Sequence, residues 1–154
     1  MTWVDVGPTL TPERLALFEE RLGRKVPHEV VWFLRNVCNG GDPSEEFYVQ
    51  TDERNEPTDV ETIVGIDHPD FDLHFLMSKC WEHAHLWPVA YDCTSGTFVL
   101  ELAGRHKGQV RYLRPWAESR VPDPHETFFV AKDIRDFARM LKGPSAPLPP
   151  DWDG

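Results

Sequence analysis

A cysteine and two histidines lie close together in the middle of the chain, in the order Cys80-x-x-His83-x-His85. Thiolate and imidazole groups are the usual ligands of zinc, and His74 and Cys93 are not far away in sequence. A structural zinc site needs four ligands at paired spacings, and this irregular cluster has no matching second pair. We therefore expect no metal and no other cofactor. A metal-dependent enzyme remains the weakest alternative, because it requires Cys80, His83 and His85 to converge.

Other residues have types suited to catalysis but not the spacing. Cys38 falls in the last apolar turn before a glycine pair, where a thiol is more often a packing group than a nucleophile. Two pairs of adjacent carboxylates, Glu45-Glu46 and Asp52-Glu53, are not placed across a substrate by adjacency alone, and an exposed acidic loop does not raise a pKa. We expect no catalytic residue and no enzymatic activity.

The negative charge is concentrated in one stretch of the chain. Residues 42–82 contain 12 acidic residues but only Arg54 and Lys79 as bases, whereas acids and bases are equal in number on either side. Such a field repels nucleic acid and anionic lipid and raises the association rate of a basic partner. Alternatively, the stretch is simply a solvated loop and strand edge, kept charged to prevent aggregation.

One aromatic residue is a candidate anchor for a partner. Trp116 follows Pro115 in a proline-containing loop, where we expect its side chain to be partly exposed, while most other tryptophans should belong to the core. The expected partner-binding residues are therefore Asp42, Glu45, Glu46, Asp52, Glu53, Glu56, Asp59 and Trp116.

Two helices are predicted near the N-terminus. Thr11 can cap the first helix, Pro12 suits its first turn, and Gly23 offers a left-handed stop. The second helix starts at Pro27 and ends before Asn39-Gly40-Gly41. Apolar residues at helical spacing mark the inward faces, namely Leu15, Phe18 and Leu22 in the first helix and Val30, Phe33, Leu34 and Val37 in the second.

The second half predicts strands, with one helix before them and one after. The middle helix should begin near Pro69, turn Phe71, Phe75 and Leu76 inward, and end at Cys80 and Trp81, leaving His83 and His85 on a loop. Strands are expected at residues 86–92, 97–102, 108–113 and 127–131, with a turn at Ser95-Gly96. Asp133 can cap the last helix, whose inward residues are Ile134, Phe137, Ala138 and Leu141.

These elements predict an α+β fold: an N-terminal helical hairpin, a mainly antiparallel sheet of about five or six strands, and a C-terminal helix. We expect one domain over residues 1–142 and a proline-rich tail over 143–154. The chain shows no apolar leader, no membrane-length apolar run, and three cysteines without framework spacing, expected to be core thiols. These features favour a soluble cytoplasmic protein, and the charged edges favour a monomer in the absence of its partner.

The order of these motifs resembles the SMI1/KNR4 or SUKH superfamily across residues 11–142. That family shows an LG-x-x-LP helical opening, an NGG stop, a proline-bearing strand, a glycine-bearing hairpin and a C-terminal helix. The matching residues are Leu22, Gly23, Val26, Pro27, Phe33, Leu34, Asn39, Gly40, Gly41, Pro88, Ala90, Gly96, Gly108, Val110, Ala131, Ile134, Phe137 and Leu141. Val26, Asp133 and the Ser95-Gly96-Thr97 turn depart from the usual residues but keep their physical roles.

The resemblance implies a function that composition does not give. Bacterial members are best known as immunity proteins that bind and block the toxin domain of a polymorphic toxin system, without chemistry of their own. The acidic stretch is compatible with a basic, nuclease-type toxin as the cognate partner. A regulatory or scaffolding module, like the eukaryotic relatives, is the main alternative.

Overall fold

A computed structural model describes residues 2–51, 57–81, 83–115 and 126–142, apart from the side chains of Pro57, Lys79, Cys80 and Lys142. The expected tail (143–154), Trp116 and its loop, and Asp52, Glu53 and Glu56 all lie outside the described residues. The chain starts with a short strand, β1 (Trp3–Val4), followed by two helices, α1 (Pro12–Leu22) and α2 (His28–Asn36).

The predicted ends of the first helix are confirmed. The Thr11 hydroxyl accepts a hydrogen bond from the backbone N–H of Arg14 at 3.2 Å, and Gly23 ends α1 in the left-handed conformation with φ of 78°. Helix α2 starts directly after Pro27, as expected. The expected inward residues include fully buried side chains on both helices, namely Phe18, Val30, Phe33 and Leu34.

The described residues form nine strands and four helices in all. After α2 come β2 (Asp42–Pro43), β3 (Tyr48–Gln50), β4 (Pro57–Asp59), β5 (Thr62–Ile63), α3 (Leu73–Phe75), a π-helical turn (Leu76–Cys80), β6 (Leu86–Tyr91), β7 (Thr97–Glu101), β8 (Val110–Leu113), β9 (Thr127–Ala131) and α4 (Ile134–Lys142). Strands β5 to β9 form one antiparallel sheet in sequence order, while β1 pairs with β2 and β3 with β4. The α+β fold with a C-terminal helix is confirmed.

Aromatic rings fill the space between the sheet and helices α2 and α4. Phe33 of α2 stacks on Phe137 of α4 with ring centroids 6.0 Å apart, and Phe137 lies 5.7 Å from Phe98 of β7. Asp133 caps α4 by accepting the N–H of Asp136 at 2.8 Å, as predicted. The four expected inward residues of α4 are all buried, so this helix closes the core.

The opposite face of the sheet carries a buried polar group of three residues. Arg111 Nε donates to Thr127 Oγ1 at 2.8 Å, and the Thr127 hydroxyl donates in turn to Glu101 Oε1 at 2.7 Å. Because buried polar atoms cost free energy unless they are hydrogen-bonded, this chain of bonds stabilises the neighbouring strands β7, β8 and β9 against one another.

The middle helix differs from its prediction. It begins at Leu73, because the Asp72 carboxylate accepts the N–H of His74 at 3.3 Å and caps it there. Phe71 and Phe75 were expected to point inward, but they are 38% and 62% exposed. Shifting the start of the helix turns a different face toward the core, so Leu73 and Met77 are buried instead. Leu76 packs partly against the core, as predicted.

The segment before this helix is held by a histidine. His68 is 2% exposed, and its Nδ1 accepts the backbone N–H groups of Asp70 at 3.1 Å and Phe71 at 2.9 Å. Its Nε2 therefore carries the hydrogen and donates it to the Asp5 carbonyl. These bonds keep residues 68–71 in a turn and prevent the helix from starting near Pro69.

Asn39 joins three stretches of backbone beside the sheet. Its side-chain amide nitrogen donates to the carbonyls of Pro8 at 2.6 Å and Ile66 at 2.9 Å, and its oxygen accepts the N–H of Ile66 at 2.8 Å. Gly40 follows with φ of 81°, and Gly41 exchanges two backbone hydrogen bonds with Ile63 of β5. The predicted stop after α2 thus also anchors the N-terminal segment to the sheet edge.

Candidate functional site

The acidic stretch after α2 includes a small two-stranded hairpin. Strands β3 and β4 pair in antiparallel register, with Tyr48 opposite Asp59 and Val49 opposite Thr58. Val49 and Val60 are buried, and the Val60 N–H donates to the Phe47 carbonyl at 2.8 Å. One face of the hairpin therefore packs on the core, which leaves the other face to solvent.

Five described carboxylates lie in this hairpin or in the segments directly before and after it, and two of them, Glu46 and Asp59, lie beside Tyr48. We call them the acidic surface: Asp42, Glu45, Glu46, Asp59 and Glu61. Glu45, Glu46 and Glu61 are exposed, while Asp42 and Asp59 are half-buried. Asp42 accepts a hydrogen bond from the Thr62 hydroxyl, and both carboxylate oxygens of Asp59 accept the Cys93 N–H, at 3.2 and 3.4 Å. These bonds fix two of the five charges in position.

The charges of the acidic surface are not balanced by ion pairs with other described residues. None of its five carboxylates forms an ion pair with any residue in the described ranges, although other acids do, as in the Arg14–Asp67 pair at 3.1 Å and the Lys25–Glu19 pair at 3.6 Å. Uncompensated like charges repel one another and raise the local negative potential. The surface is therefore electrostatically suited to a cationic partner.

Tyr48 stands among these charges with 54% of its surface exposed. Its hydroxyl donates to Glu46 Oε2 at 3.2 Å, and the Glu46 charge, with smaller contributions that include Asp59, raises the pKa of the phenol above its usual value. A tyrosine ring presented on a rigid strand offers apolar contact area at a low cost in side-chain entropy. The surface thus combines charge with one aromatic contact.

The structure brings together only part of the expected site. Asp42, Glu45, Glu46 and Asp59 lie on the acidic surface, whereas Asp52, Glu53, Glu56 and Trp116 fall outside the described residues, so their part of the hypothesis stays a prediction. Sequence reasoning missed Tyr48 as a member of the surface. The signal was present, because Tyr48 alternates with the apolar Phe47 and Val49 and so must point away from the core.

The described cysteines differ from each other in environment. Cys38 is buried as expected, and its thiol donates to the Gly40 carbonyl at 3.0 Å. Burial, together with the nearby charge of Asp42, raises its pKa from 9.0 to about 12. Cys93 was also expected to be a core thiol, but it is exposed. It lies just after β6, in the turn where the chain leaves the sheet, and its hydrogen bond to Asp59 raises its pKa.

The histidines considered as metal ligands lie on the loop before β6, as predicted. The ring of His83 meets the edge of the Trp81 ring at 5.2 Å, and the Trp81 indole N–H donates to the carbonyls of His83 at 3.0 Å and Leu86 at 2.9 Å. Among residues within the described ranges, no three His, Cys, Asp or Glu side chains are grouped to hold a metal ion. The side chain of Cys80 lies outside the description, so its convergence with the histidines is untested.

No helix in the described part of the chain has the length and apolar character needed to cross a bilayer. Comparison with curated proteins and with solved structures finds no match to this chain. Comparison with family models finds one, the SMI1 / KNR4 family (SUKH-1), which matches residues 9–140. That range includes both N-terminal helices, the whole sheet and nearly all of α4. The chain therefore belongs to the SMI1 / KNR4 family (SUKH-1).

Proposed function

We propose that this chain is an immunity protein that binds and neutralises the toxin domain of a polymorphic or contact-dependent toxin system. It acts in the cytoplasm by forming a stoichiometric complex, with no chemistry of its own. Membership of the SUKH-1 family supports an immunity role. The observation that carries the choice of partner is the acidic surface, with five carboxylates that have no described ion-pair partner.

The charge of this surface favours a basic toxin, such as a nuclease. A nuclease binds the phosphates of its substrate with cationic side chains, and carboxylates on a protein can occupy the same positions. Asp42 and Asp59 are held by hydrogen bonds, Glu46 accepts a hydrogen bond from the Tyr48 hydroxyl, and Glu45 is exposed. Tyr48, beside Glu46 and Asp59, supplies an exposed aromatic contact. The free protein is expected to be a monomer.

The first experiment is co-expression with the C-terminal domain of a neighbouring large secreted-protein gene. Rescue of growth and co-elution of the two proteins are the expected results. Absence of both would overturn the immunity proposal. Binding to a host protein, with no effect of salt, would instead support a regulatory or scaffolding module.

The role of charge is tested with the double variant Glu45→Gln/Glu46→Gln. We expect association with the toxin to be about three- to tenfold slower and less dependent on ionic strength, because steering by these charges is lost. The matched control is Glu13→Gln/Glu20→Gln, which removes two exposed charges from α1 and should leave the rate nearly unchanged. Equal effects of the two variants would show that only net charge matters and would contradict the proposed interface.

A further inference from the structure

A cleft lined by two arginines lies at the other end of β6 from the acidic surface. The end of α1 forms one wall, and the π-helical turn with the loop after it forms the other. Its volume is about 250 Å³. The described lining residues include Arg21, Leu22, Arg24, Met77, Trp81 and Ala84. We call it the basic cleft.

Among the described residues that line the cleft are two arginines and no carboxylate. Arg24 is held in place, because its Nη2 donates to the Ala84 carbonyl at 3.3 Å and its Cζ lies 5.1 Å from the centroid of the buried Trp87 ring. Arg21 is exposed and forms no ion pair or side-chain hydrogen bond with any residue in the described ranges. The cleft thus has one cation held in place and one, Arg21, without a bonding partner in the described part of the chain, in a protein whose net charge is −10.

The floor of the cleft is apolar. Met77 is buried, and Leu22 and Trp81 are partly buried side chains that pack against the core. The only polar atom of the Trp81 side chain already donates to two carbonyls, so the indole offers an apolar surface to the cleft. An apolar floor beside two guanidinium groups fits a ligand that has an apolar group next to a negative charge.

The π-helical turn is an independent indication of function. Five residues, Leu76–Cys80, adopt this rare conformation, and two of them, Met77 and Ser78, line the cleft. Single π-helical turns are energetically less favourable than an α-helix and occur frequently at functional sites. Here the π-helical turn forms the wall of the cleft opposite Arg21 and Arg24.

Size and position identify the kind of ligand. Pockets for small molecules usually have volumes of roughly 300–1,000 Å³, so about 250 Å³ better suits a single anchoring side chain of a protein. Strand β6 extends over its six residues, or roughly 17 Å, from the cleft beside Leu86 to the acidic surface, where the Tyr91 carbonyl accepts the Glu61 N–H. The two surfaces are therefore separate contacts.

We propose that the basic cleft binds an acidic segment of a protein partner, in which an apolar or aromatic anchor side chain is flanked by aspartate or glutamate. The anchor rests on Leu22, Met77 and Trp81, while Arg21 and Arg24 pair with the flanking carboxylates. This inference does not depend on the proposed function, because the cleft keeps its chemistry whatever binds the acidic surface.

The test uses a capped pentapeptide of phenylalanine flanked on each side by two glutamates, titrated into the ¹⁵N-labelled full chain. We expect shifts of the Trp81 indole N–H and of the Ser78 and Ala84 amides, and no shift at Cys93. Two altered peptides should each bind about fivefold more weakly. The peptide with glutamine in place of glutamate loses the ion pairs with the arginines, and the peptide with alanine in place of phenylalanine loses the apolar contact with the floor of the cleft.

Two variants locate the binding site. Arg21→Glu should abolish the shifts without affecting the fold, because Arg21 is exposed and unbonded to described residues. Ala84→Trp should fill the cleft and also block the peptide, while the exposed Lys107→Glu serves as a charge-matched control that binds like the parent. Equal binding of the glutamate and glutamine peptides, the same shifts with inorganic phosphate alone, or unchanged binding by Arg21→Glu would each overturn the proposal.

Discussion

The Asn39 side chain satisfies three backbone groups from two separate stretches of the chain. Replacing Asn39 by alanine removes the partner of these groups, of which the two on Ile66 are buried. We expect the free energy of unfolding to fall by about 2–4 kcal/mol. Urea denaturation of Asn39→Ala measures this loss.

The half-buried Asn36 provides a comparison, since its amide donates at 2.9 Å to the Trp32 carbonyl within its own helix. Asn36→Ala should therefore cost less than Asn39→Ala. Equal losses for the two variants would show that Asn39 contributes no more than an ordinary side chain near the end of a helix.

Cys38 and Cys93 should differ in their reactivity toward a thiol reagent, because Cys38 is buried and Cys93 is exposed. In a Cys80→Ser background, Cys93 should be labelled in the folded protein, whereas Cys38 should react only after unfolding. With a pKa of about 12, the Cys38 thiol stays protonated in the folded state, so its contribution to stability is present below about pH 9 and is lost as the pH rises toward 12. Rapid labelling of both cysteines in native buffer would contradict the buried position of Cys38.

The cause of the raised pKa of Cys93 is tested by measuring how fast this thiol is labelled in a variant of its neighbour Asp59. Its first cause is the hydrogen bond to Asp59, which favours the neutral thiol. Asp59→Asn removes the charge and should lower the pKa of Cys93, which raises the thiolate fraction and the labelling rate at about pH 8. Glu13→Gln, on α1, should leave the rate unchanged, and a slower rate for Asp59→Asn would reverse the assigned cause.

At the scale of elements, the turn between β6 and β7 contains two neighbouring residues whose replacement should have opposite effects. Ser95 has φ of 68°, in the left-handed region, where a residue with a Cβ is strained by roughly 1–2 kcal/mol. Ser95→Gly removes this strain but adds an entropic cost of about 0.5–1 kcal/mol. We therefore expect a net stabilisation of about 0.5–1 kcal/mol by chemical denaturation.

Gly96 is required for a different reason, because a Cβ there would lie 2.0 Å from the Tyr112 hydroxyl oxygen. That ring is buried, and its hydroxyl donates to Asp92, whose other carboxylate oxygen accepts the Gly96 N–H at 2.8 Å. The ring is thus unable to move aside, and Gly96→Ala should destabilise the protein by about 1–3 kcal/mol. A stabilising effect of this variant would mean that the turn adapts to the methyl group.

At the scale of the whole molecule, charge is distributed unevenly, and the acidic surface should reduce stability through repulsion. Added salt screens this repulsion, so we expect the melting temperature to rise by about 1–3 °C between about 20 mM and about 300 mM sodium chloride. Calorimetry measures the shift. This salt-dependent rise in melting temperature should be smaller in Glu45→Gln/Glu46→Gln than in Glu13→Gln/Glu20→Gln. An equal rise in the two variants would show that the repulsion is not local to the acidic surface.

Local signals in the sequence were sufficient for much of the fold. Caps at Thr11, Gly23 and Asp133, together with apolar periodicity in α1, α2 and α4, predicted these helices because such interactions involve residues within one turn of each other. The strands β6 to β9 were predicted to within two residues at either end for the same reason. The start of α3 was missed, since it depends on His68 and its distant partner Asp5.

By itself, the sequence determined the fold class, the family resemblance and the presence of an acidic stretch, because composition, spacing and caps are properties of neighbouring residues. Only the tertiary structure decided which carboxylates share a surface with Tyr48, that Cys93 is exposed beside Asp59, and that Arg21 and Arg24 line a cleft with Met77 and Trp81. Asp59 and Cys93 are 34 positions apart in sequence, and Arg24 and Ala84 are 60 apart. Tyr48 and Asp59, which face each other on paired strands, are more than 10 positions apart. The proximity of such residues is set by packing against a common core rather than by any local pattern.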